Sequence, residues 1–78
     1  MKTTKLLATM KNGEEGTIVD ISSPARLARR LEAMGLRVGC RVVKTRAIFW
    51  RGPVAVRVGN TKIALARAIA EQITVAIS

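Results

Sequence analysis

Apolar and polar residues alternate, or apolar β-branched residues cluster, in several short parts of the chain, which is the pattern of β-strands. Gly59-Asn60 separates two of these parts and predicts a two-residue hairpin turn, of type II′ because glycine comes first. Polar and glycine-rich stretches at 11–16 and 51–53 predict two further turns. The predicted strands are 17–21, 41–49, 54–58, 61–65 and 73–77.

After the first predicted strand, the apolar residues recur with the 3.6-residue period of an α-helix. Leu27, Leu31 and Met34 recur at the spacing i, i+4 and i+7, which predicts a helix with one apolar stripe facing the core. Ser23 is predicted as the N-cap and Pro24 as the first helical residue. A second, much shorter helical stretch of one or two turns is predicted within 66–72.

Two glycines punctuate the end of this helix. Gly35 lies where a left-handed residue ends a helix, a conformation that favours glycine. Leu36 should then pack back onto Leu31, as in a Schellman ending. Gly39 follows four residues later, two residues before the start of the second predicted strand.

Five short strands with one substantial helix favour a small, strongly bent barrel, because closure removes exposed sheet edges. We predict an all-β fold with one inserted helix: an SH3-like β-barrel of about five strands, in which the helix follows the first strand. With 78 residues the chain has room for a single domain, 1–78. The predicted core comprises Ile18, Ile21, Leu27, Leu31, Met34, Val42, Val54, Val56, Val58, Ile63, Leu65, Ile73 and Val75.

Basic residues outnumber acidic ones, and their distribution is uneven. The formal net charge is +9 and the isoelectric point is about 11.5. The segment from Arg26 to Arg57 carries nine basic residues and one acidic residue. We therefore expect one sector of positive potential and an acidic partner, which could be nucleic acid, anionic lipid or protein.

The side chains that most enzymes and metal sites use are scarce. There is no histidine, and Cys40 is the only cysteine, which precludes an internal disulfide. We interpret Cys40 as a small buried apolar residue. No catalytic site, metal site or cofactor is predicted.

The apolar run near the amino terminus is too short for a signal peptide, and no stretch reaches the roughly 18 residues of a membrane span, so we expect a cytoplasmic protein.

The order of these motifs resembles the FeoA family of small ferrous-iron-transport proteins. The likeness covers nearly the whole chain, and its most specific part is the run Arg30-Leu31-Glu32-Ala33-Met34-Gly35-Leu36 followed by Gly39. Val38 stands where a proline often precedes the second glycine in that family. The remaining matching stretches are 52–56, 62–65 and 70–75.

The resemblance implies a non-enzymatic SH3-like domain that acts with the membrane GTPase permease FeoB in bacterial ferrous iron uptake. Related domains also occur at the carboxyl end of iron- or manganese-dependent repressors. We expect an adaptor or regulatory role at the cytoplasmic side of the membrane, with anionic lipid as an additional contact. The predicted partner-binding residues are Arg29, Arg30, Leu36, Arg37 and Trp50.

Two alternatives remain open from the sequence. Leu36 and its neighbours could serve only to end the helix over the core, and the arginines could form a plain solvated surface. Nucleic-acid binding by a small basic barrel is the alternative function. Charge supports it, but Phe49 and Trp50 are the only aromatic residues, fewer than base stacking usually employs.

Overall fold

The computed structural model describes residues 3–45 and 52–78 and contains six strands and two α-helices. Helix α1 is Ala25–Ala33 and helix α2 is the single turn Arg67–Ala70. A short 3₁₀ turn, Leu7–Thr9, follows the first strand. No described helix is long and apolar enough to cross a membrane. The strands are β1 Thr4–Leu6, β2 Glu15–Ile21, β3 Arg41–Lys44, β4 Val54–Val58, β5 Thr61–Leu65 and β6 Ile73–Ile77.

The six strands form one antiparallel sheet in the order β1-β6-β2-β3-β4-β5. The buried residues belong to one continuous cluster, so the sheet bends around a single core. Helix α1 follows β2, the first of the predicted strands, which confirms the SH3-like fold with an inserted helix. The sheet is not strictly closed, because β1 and β5 stand at its two ends.

The predicted strands and core are largely confirmed. The part of the predicted second strand that lies in 46–51 falls outside the described residues. Val58 is paired with Thr61, so the hairpin has the predicted two-residue turn, and Gly59 has a φ of 60°. Nine predicted core residues are buried: Ile18, Leu31, Val42, Val54, Val56, Ile63, Leu65, Ile73 and Val75. Ile21, Leu27, Val58 and Cys40 are partly buried and pack against them.

The prediction that Met34 belongs to the core is wrong, since its side chain is 45% exposed. Met34 is the C-cap of α1 and lies one residue beyond the last helical residue. The chain reverses at Gly35, which has a φ of 97°, and Leu36 enters the core at 0% exposure. Leu36 therefore occupies the position that the helical spacing assigned to Met34.

The end of α1 is a Schellman ending, as predicted. Leu36 N–H donates to the Leu31 carbonyl at 2.8 Å, and Gly35 N–H donates to the Glu32 carbonyl at 2.9 Å. These are the two hydrogen bonds that define the motif, and the Leu31 and Leu36 side chains are both buried beneath it. The turn fixes where α1 stops and where the chain re-enters the sheet.

The predicted start of α1 is wrong by one residue. Pro24, not Ser23, is the N-cap, and no side chain caps the helix. The Ser23 hydroxyl instead donates to Oε1 of Gln72 at 2.9 Å, which ties the loop before α1 to the loop before β6. Proline is tolerated here because the first turn of a helix leaves its N–H groups without helical partners.

Residues 3–14, which we call the N-terminal segment, contain structure that the sequence pattern did not predict. Strand β1 pairs with β6, and the 3₁₀ turn after it buries Leu7 and Ala8 in the core. Met10 is buried next to them. These three residues, together with Leu36 and Ala70, are the core positions that periodicity missed.

Candidate partner-binding surface

Helix α1 covers the sheet loosely. Of its nine residues only Leu31 is buried, while Leu27 and Ala28 are half-buried and the rest are exposed. Cavities therefore border the helix on both sides. The two cavities differ in their walls, so we describe them separately.

The first cavity, which we call the edge groove, lies between α1, the end of β5 and α2. Its volume is about 210 Å³. The walls are apolar except for one side chain, Arg30, and the exposed Met34 forms part of the rim. The apolar wall residues are Leu27, Leu31, Met34, Ala64, Leu65, Ala66 and Ile69.

The second cavity, which we call the mixed pocket, lies on the other side of α1 against the end of β2. Its volume is about 420 Å³. Asp20, Glu32 and Arg37 all contribute to its walls, so charges of both signs face it. Asp20 also accepts a hydrogen bond from the Ser22 hydroxyl at 2.8 Å. This pocket therefore has a weaker preference for an acidic ligand than the edge groove.

A tight turn, Arg37-Val38-Gly39-Cys40, forms one end of the mixed pocket. Cys40 N–H donates to the Arg37 carbonyl at 3.1 Å, and Gly39 has a φ of 96°, as the third residue of a type II turn requires. Gly39 N–H and the Cys40 carbonyl also bond to the backbone of Ile18 in β2, at 2.7 and 2.9 Å. The turn is thus held on the sheet, and Val38 at its tip is 59% exposed.

The structure separates the predicted partner-binding residues. Arg29, Arg30 and Arg37 are all exposed, but Arg30 lines the edge groove, Arg37 lines the mixed pocket and Arg29 lines neither. Leu36 is fully buried, so the prediction that its side chain offers contact area is wrong. Trp50 lies outside the described residues.

Two exposed apolar side chains were missed by the sequence reasoning. Met34 directly precedes Gly35 and Val38 directly precedes Gly39, and both glycines have positive φ. Both glycines end or tighten a turn, so the residue before each is displaced from the core. This position alone is not a sufficient signal, because Val58 also directly precedes a positive-φ glycine, Gly59, and packs against the core.

A short basic row, Arg57 in β4 and Lys62 in β5, lies on the outer face of the sheet. Val43 in β3 is aligned with Arg57 in β4, and Arg57 is aligned with Lys62 in β5. Arg57 and Lys62 are both exposed, and neither forms an ion pair with another described residue. At the other end of the sheet face, Arg41 is paired with Glu15 at 3.4 Å. Uncompensated positive charge is therefore concentrated towards β5.

The two groups with shifted pKa values lie away from this surface. Burial lowers the pKa of Lys44, helped by the charge of Arg67 and opposed by that of Glu14. A hydrogen bond from the Lys11 backbone lowers the pKa of the Glu14 carboxyl, and a second from the Lys5 ammonium lowers it further. No cluster of three potential metal ligands occurs in 3–45 or 52–78.

Comparison with known proteins gives a consistent result. A sequence model described as the FeoA domain matches residues 5–77. The crystal structure of the iron uptake regulatory protein FeoA superposes with a TM-score of 0.89 at 24% identity, covering 97% of this chain and 100% of that one. No curated protein sequence matches significantly.

Two further structures extend the comparison. The FeoA protein from Chlorobium tepidum has a TM-score of 0.86 at 26% identity, covering 94% of this chain and 70% of that one. A manganese-dependent transcriptional repressor has a TM-score of 0.86 at 19% identity, but this chain, covered completely, corresponds to only 44% of its length. The fold therefore occurs both alone and as part of larger regulators.

Proposed function

Because the chain belongs to the FeoA family, we propose that it is a small accessory or regulatory protein of bacterial ferrous iron transport that binds the membrane GTPase permease FeoB. The observation that carries this proposal is the family match over residues 5–77, supported by the similarity to the iron uptake regulatory protein FeoA. The role is non-enzymatic and is performed at the cytoplasmic side of the membrane. No cofactor is required for it.

The surface around α1 supports the proposal physically. Arg29, Arg30 and Arg37 are exposed and are not needed to bury the core, and they belong to a chain of net charge +9. Such a charge accelerates the encounter with an acidic partner, while nearby apolar atoms supply contact area. The buried Leu36 positions Arg37 instead of contacting the partner. Trp50 remains a predicted contact.

Co-purification from membranes tests the proposal. The tagged chain is incubated with detergent-solubilised membranes containing intact permease, and the variants Arg30→Glu and Arg37→Glu are compared with the wild type. Arg26→Glu is the matched control: Arg26 is exposed on the same helix, lines neither cavity, and an acidic residue in the first turn suits the helix dipole. Thermal melting confirms that every variant is folded.

We expect the wild type and Arg26→Glu to recover the permease and both other variants to recover less. The difference should shrink as salt is raised, because exposed charges are screened. Recovery should survive nuclease treatment. Failure of the wild type to retain the permease would remove the proposal. Recovery of nucleic acid instead, with affinity falling steeply with salt concentration, would favour the alternative that this is a nucleic-acid-binding barrel.

A further inference from the structure

Among the residues that the structure describes, strand β5 has a free edge beside the edge groove. It is the last strand in the sheet order, so β4 is its only neighbour among the described residues. It is five residues long, against three for β1 at the opposite end of the sheet. A long, unpaired edge strand presents backbone donors and acceptors that another extended chain can use.

The hydrogen-bonding pattern shows which groups are free. Thr45 N–H donates to the Ala55 carbonyl at 3.0 Å, so the carbonyl of Ala55 is directed towards β3. Ala64 is the aligned partner of Ala55 in β5. In an antiparallel sheet, a residue whose carbonyl is directed to the strand on one side does not exchange hydrogen bonds with its aligned partner on the other side. Hydrogen-bonded and non-hydrogen-bonded pairs then alternate along the two strands. The amide groups of Ala64 and of Lys62, two residues earlier, therefore point away from β4.

The charge beside this edge selects the ligand. Arg57 and Lys62 are directly aligned across β4 and β5, and like charges in this position destabilise a sheet. An acidic residue aligned with Lys62 in an added strand would lie next to this row and compensate the positive charges of Lys62 and Arg57. A second copy of this chain suits the edge poorly, because it carries the same lysine and a net charge of +9.

The edge groove supplies the apolar part of the site. Ala64 and Leu65 of β5 line it, so the free edge and the apolar surface of α1 border one space. Its volume of about 210 Å³ is below that of most pockets for whole small molecules, which begin at about 300 Å³. Leu65 and Lys62 lie on opposite faces of β5, so one set of alternating side chains of an added strand lies beside Leu65 at the groove and the other set beside Lys62.

We propose that β5 binds an extended segment of the permease as a seventh strand, with apolar side chains entering the edge groove and acidic side chains facing Lys62 and Arg57. This assignment rests on the proposed function and specifies its partner: an extended acidic and apolar segment. Backbone pairing supplies affinity, and the groove and the basic row supply specificity, as in other cases of strand addition.

Amide hydrogen exchange tests the proposal at the atoms concerned. Short overlapping peptides that cover the cytosolic segments of the permease are titrated into the isotope-labelled wild-type chain. We expect at least one peptide to slow the exchange of the Lys62 and Ala64 amides. A peptide bound elsewhere, or by charge alone, would shift resonances without protecting these two amides.

Two pairs of variants complete the test. Ala64→Pro removes the free N–H without removing a bond to β4, and we expect about tenfold weaker peptide binding; Ala64→Thr keeps the N–H and should bind normally. Lys62→Glu should weaken binding more than Arg26→Glu, although both change the net charge equally. If Ala64→Pro does not fold, the exchange measurement on the wild type still decides.

The outcomes separate the two proposals. Permease binding with unprotected Lys62 and Ala64 amides and unchanged affinity for Ala64→Pro would overturn strand addition and leave the adaptor function intact. Absence of permease binding by the wild type would overturn the adaptor function and, with it, the partner assigned to β5.

Discussion

The N-terminal segment and helix α1 both pack on the same sheet, yet they are held there in different ways. The three-residue 3₁₀ turn of the N-terminal segment buries Leu7 and Ala8, whereas the nine residues of α1 bury only Leu31. The N-terminal segment is also fastened by polar contacts. Lys5 pairs with Glu14 at 3.1 Å, and the Lys44 ammonium donates to the carbonyls of Ala8 and Met10 at 3.0 and 2.7 Å.

This difference separates stability from binding. The N-terminal segment fills the core with Leu7, Ala8 and Met10 and lines neither cavity beside α1, so substitution of these residues should lower the free energy of unfolding without altering the partner surface. Helix α1 leaves cavities on both sides and exposes its arginines, so its substitution should affect binding first. Four substitutions test this division, ordered from the largest expected effect to the smallest.

Leu7→Ala should have the largest effect. Leu7 is completely buried, and removal of such a side chain costs about 2–5 kcal/mol of unfolding free energy, including the cavity that remains. Leu27→Ala on α1 is the matched comparison, because Leu27 is only half-buried and lines the edge groove. Urea denaturation should show a much smaller loss for Leu27→Ala. Equal losses would mean that α1 contributes as much to stability as the N-terminal segment.

Lys44→Met should come next. Lys44 is 7% exposed, and methionine keeps much of its apolar stem while leaving the Ala8 and Met10 carbonyls without their donor. Loss of a donor to buried carbonyls costs about 1–3 kcal/mol, partly offset because a desolvated charge is also removed. Equilibrium unfolding at neutral pH measures the net loss. An unchanged unfolding free energy would show that the ammonium does not hold the 3₁₀ turn.

The pH dependence of the unfolding free energy should identify Lys44 independently. Burial lowers the pKa of Lys44 in the folded state below its ordinary value near 10.5. Between these two pKa values the unfolded chain binds more protons than the folded chain, so the unfolding free energy of the wild type should rise with pH in that window. Lys44→Met should lack this rise. A rise that persists in the variant would assign the effect to another group.

These two regions also differ in how far the sequence predicted them. Helix α1 and its Schellman ending were predicted because Leu27, Leu31 and Gly35 follow rules local to one helix. Strand β1 was not, since three residues are too few for a period, and its pairing with β6 depends on residues about 70 positions away. Lys44 lies two residues after Val42 in β3, so its side chain faces the core as that of Val42 does. A sequence pattern nevertheless predicts a lysine to be solvent-exposed unless its buried hydrogen-bond partners are known.

The candidate site was predicted only in part, for a related reason. Arg29, Arg30 and Arg37 were identified by charge, but a sequence pattern does not show that a helix divides Arg30 from Arg37. The free edge of β5 depends on the order of all six strands. Such properties arise from topology, so they become visible only when the sheet is assembled.

Gly35→Ala should have a smaller effect, confined to the end of α1. The added Cβ would meet only Val58 Cγ1, at 3.9 Å, which is an ordinary contact, so the cost is that of a left-handed residue with a side chain, about 1–2 kcal/mol. Gly35→Asn is the control and should cost less, because asparagine tolerates this conformation. Thermal unfolding distinguishes them. Equal losses would indicate that space, not backbone conformation, limits this position.

Val38→Pro should have the smallest effect and the opposite sign. Val38 is the second residue of a turn whose third residue, Gly39, has positive φ, and proline favours this second position in type II turns. Its N–H donates to no described backbone group, so proline removes no hydrogen bond there. Proline reduces the number of conformations open to the unfolded chain, which should raise the unfolding free energy by about 0.4–1 kcal/mol.

The Val38→Pro result also bears on binding, because Val38 is one of the most exposed apolar residues next to α1. If the partner is held by the edge groove and the free edge of β5, a more rigid turn at the mixed pocket should stabilise the chain and leave permease binding unchanged. Weaker binding with increased stability would move the contact surface to the other side of α1. The same variant therefore measures the stability of the turn and decides which side of the helix meets the partner.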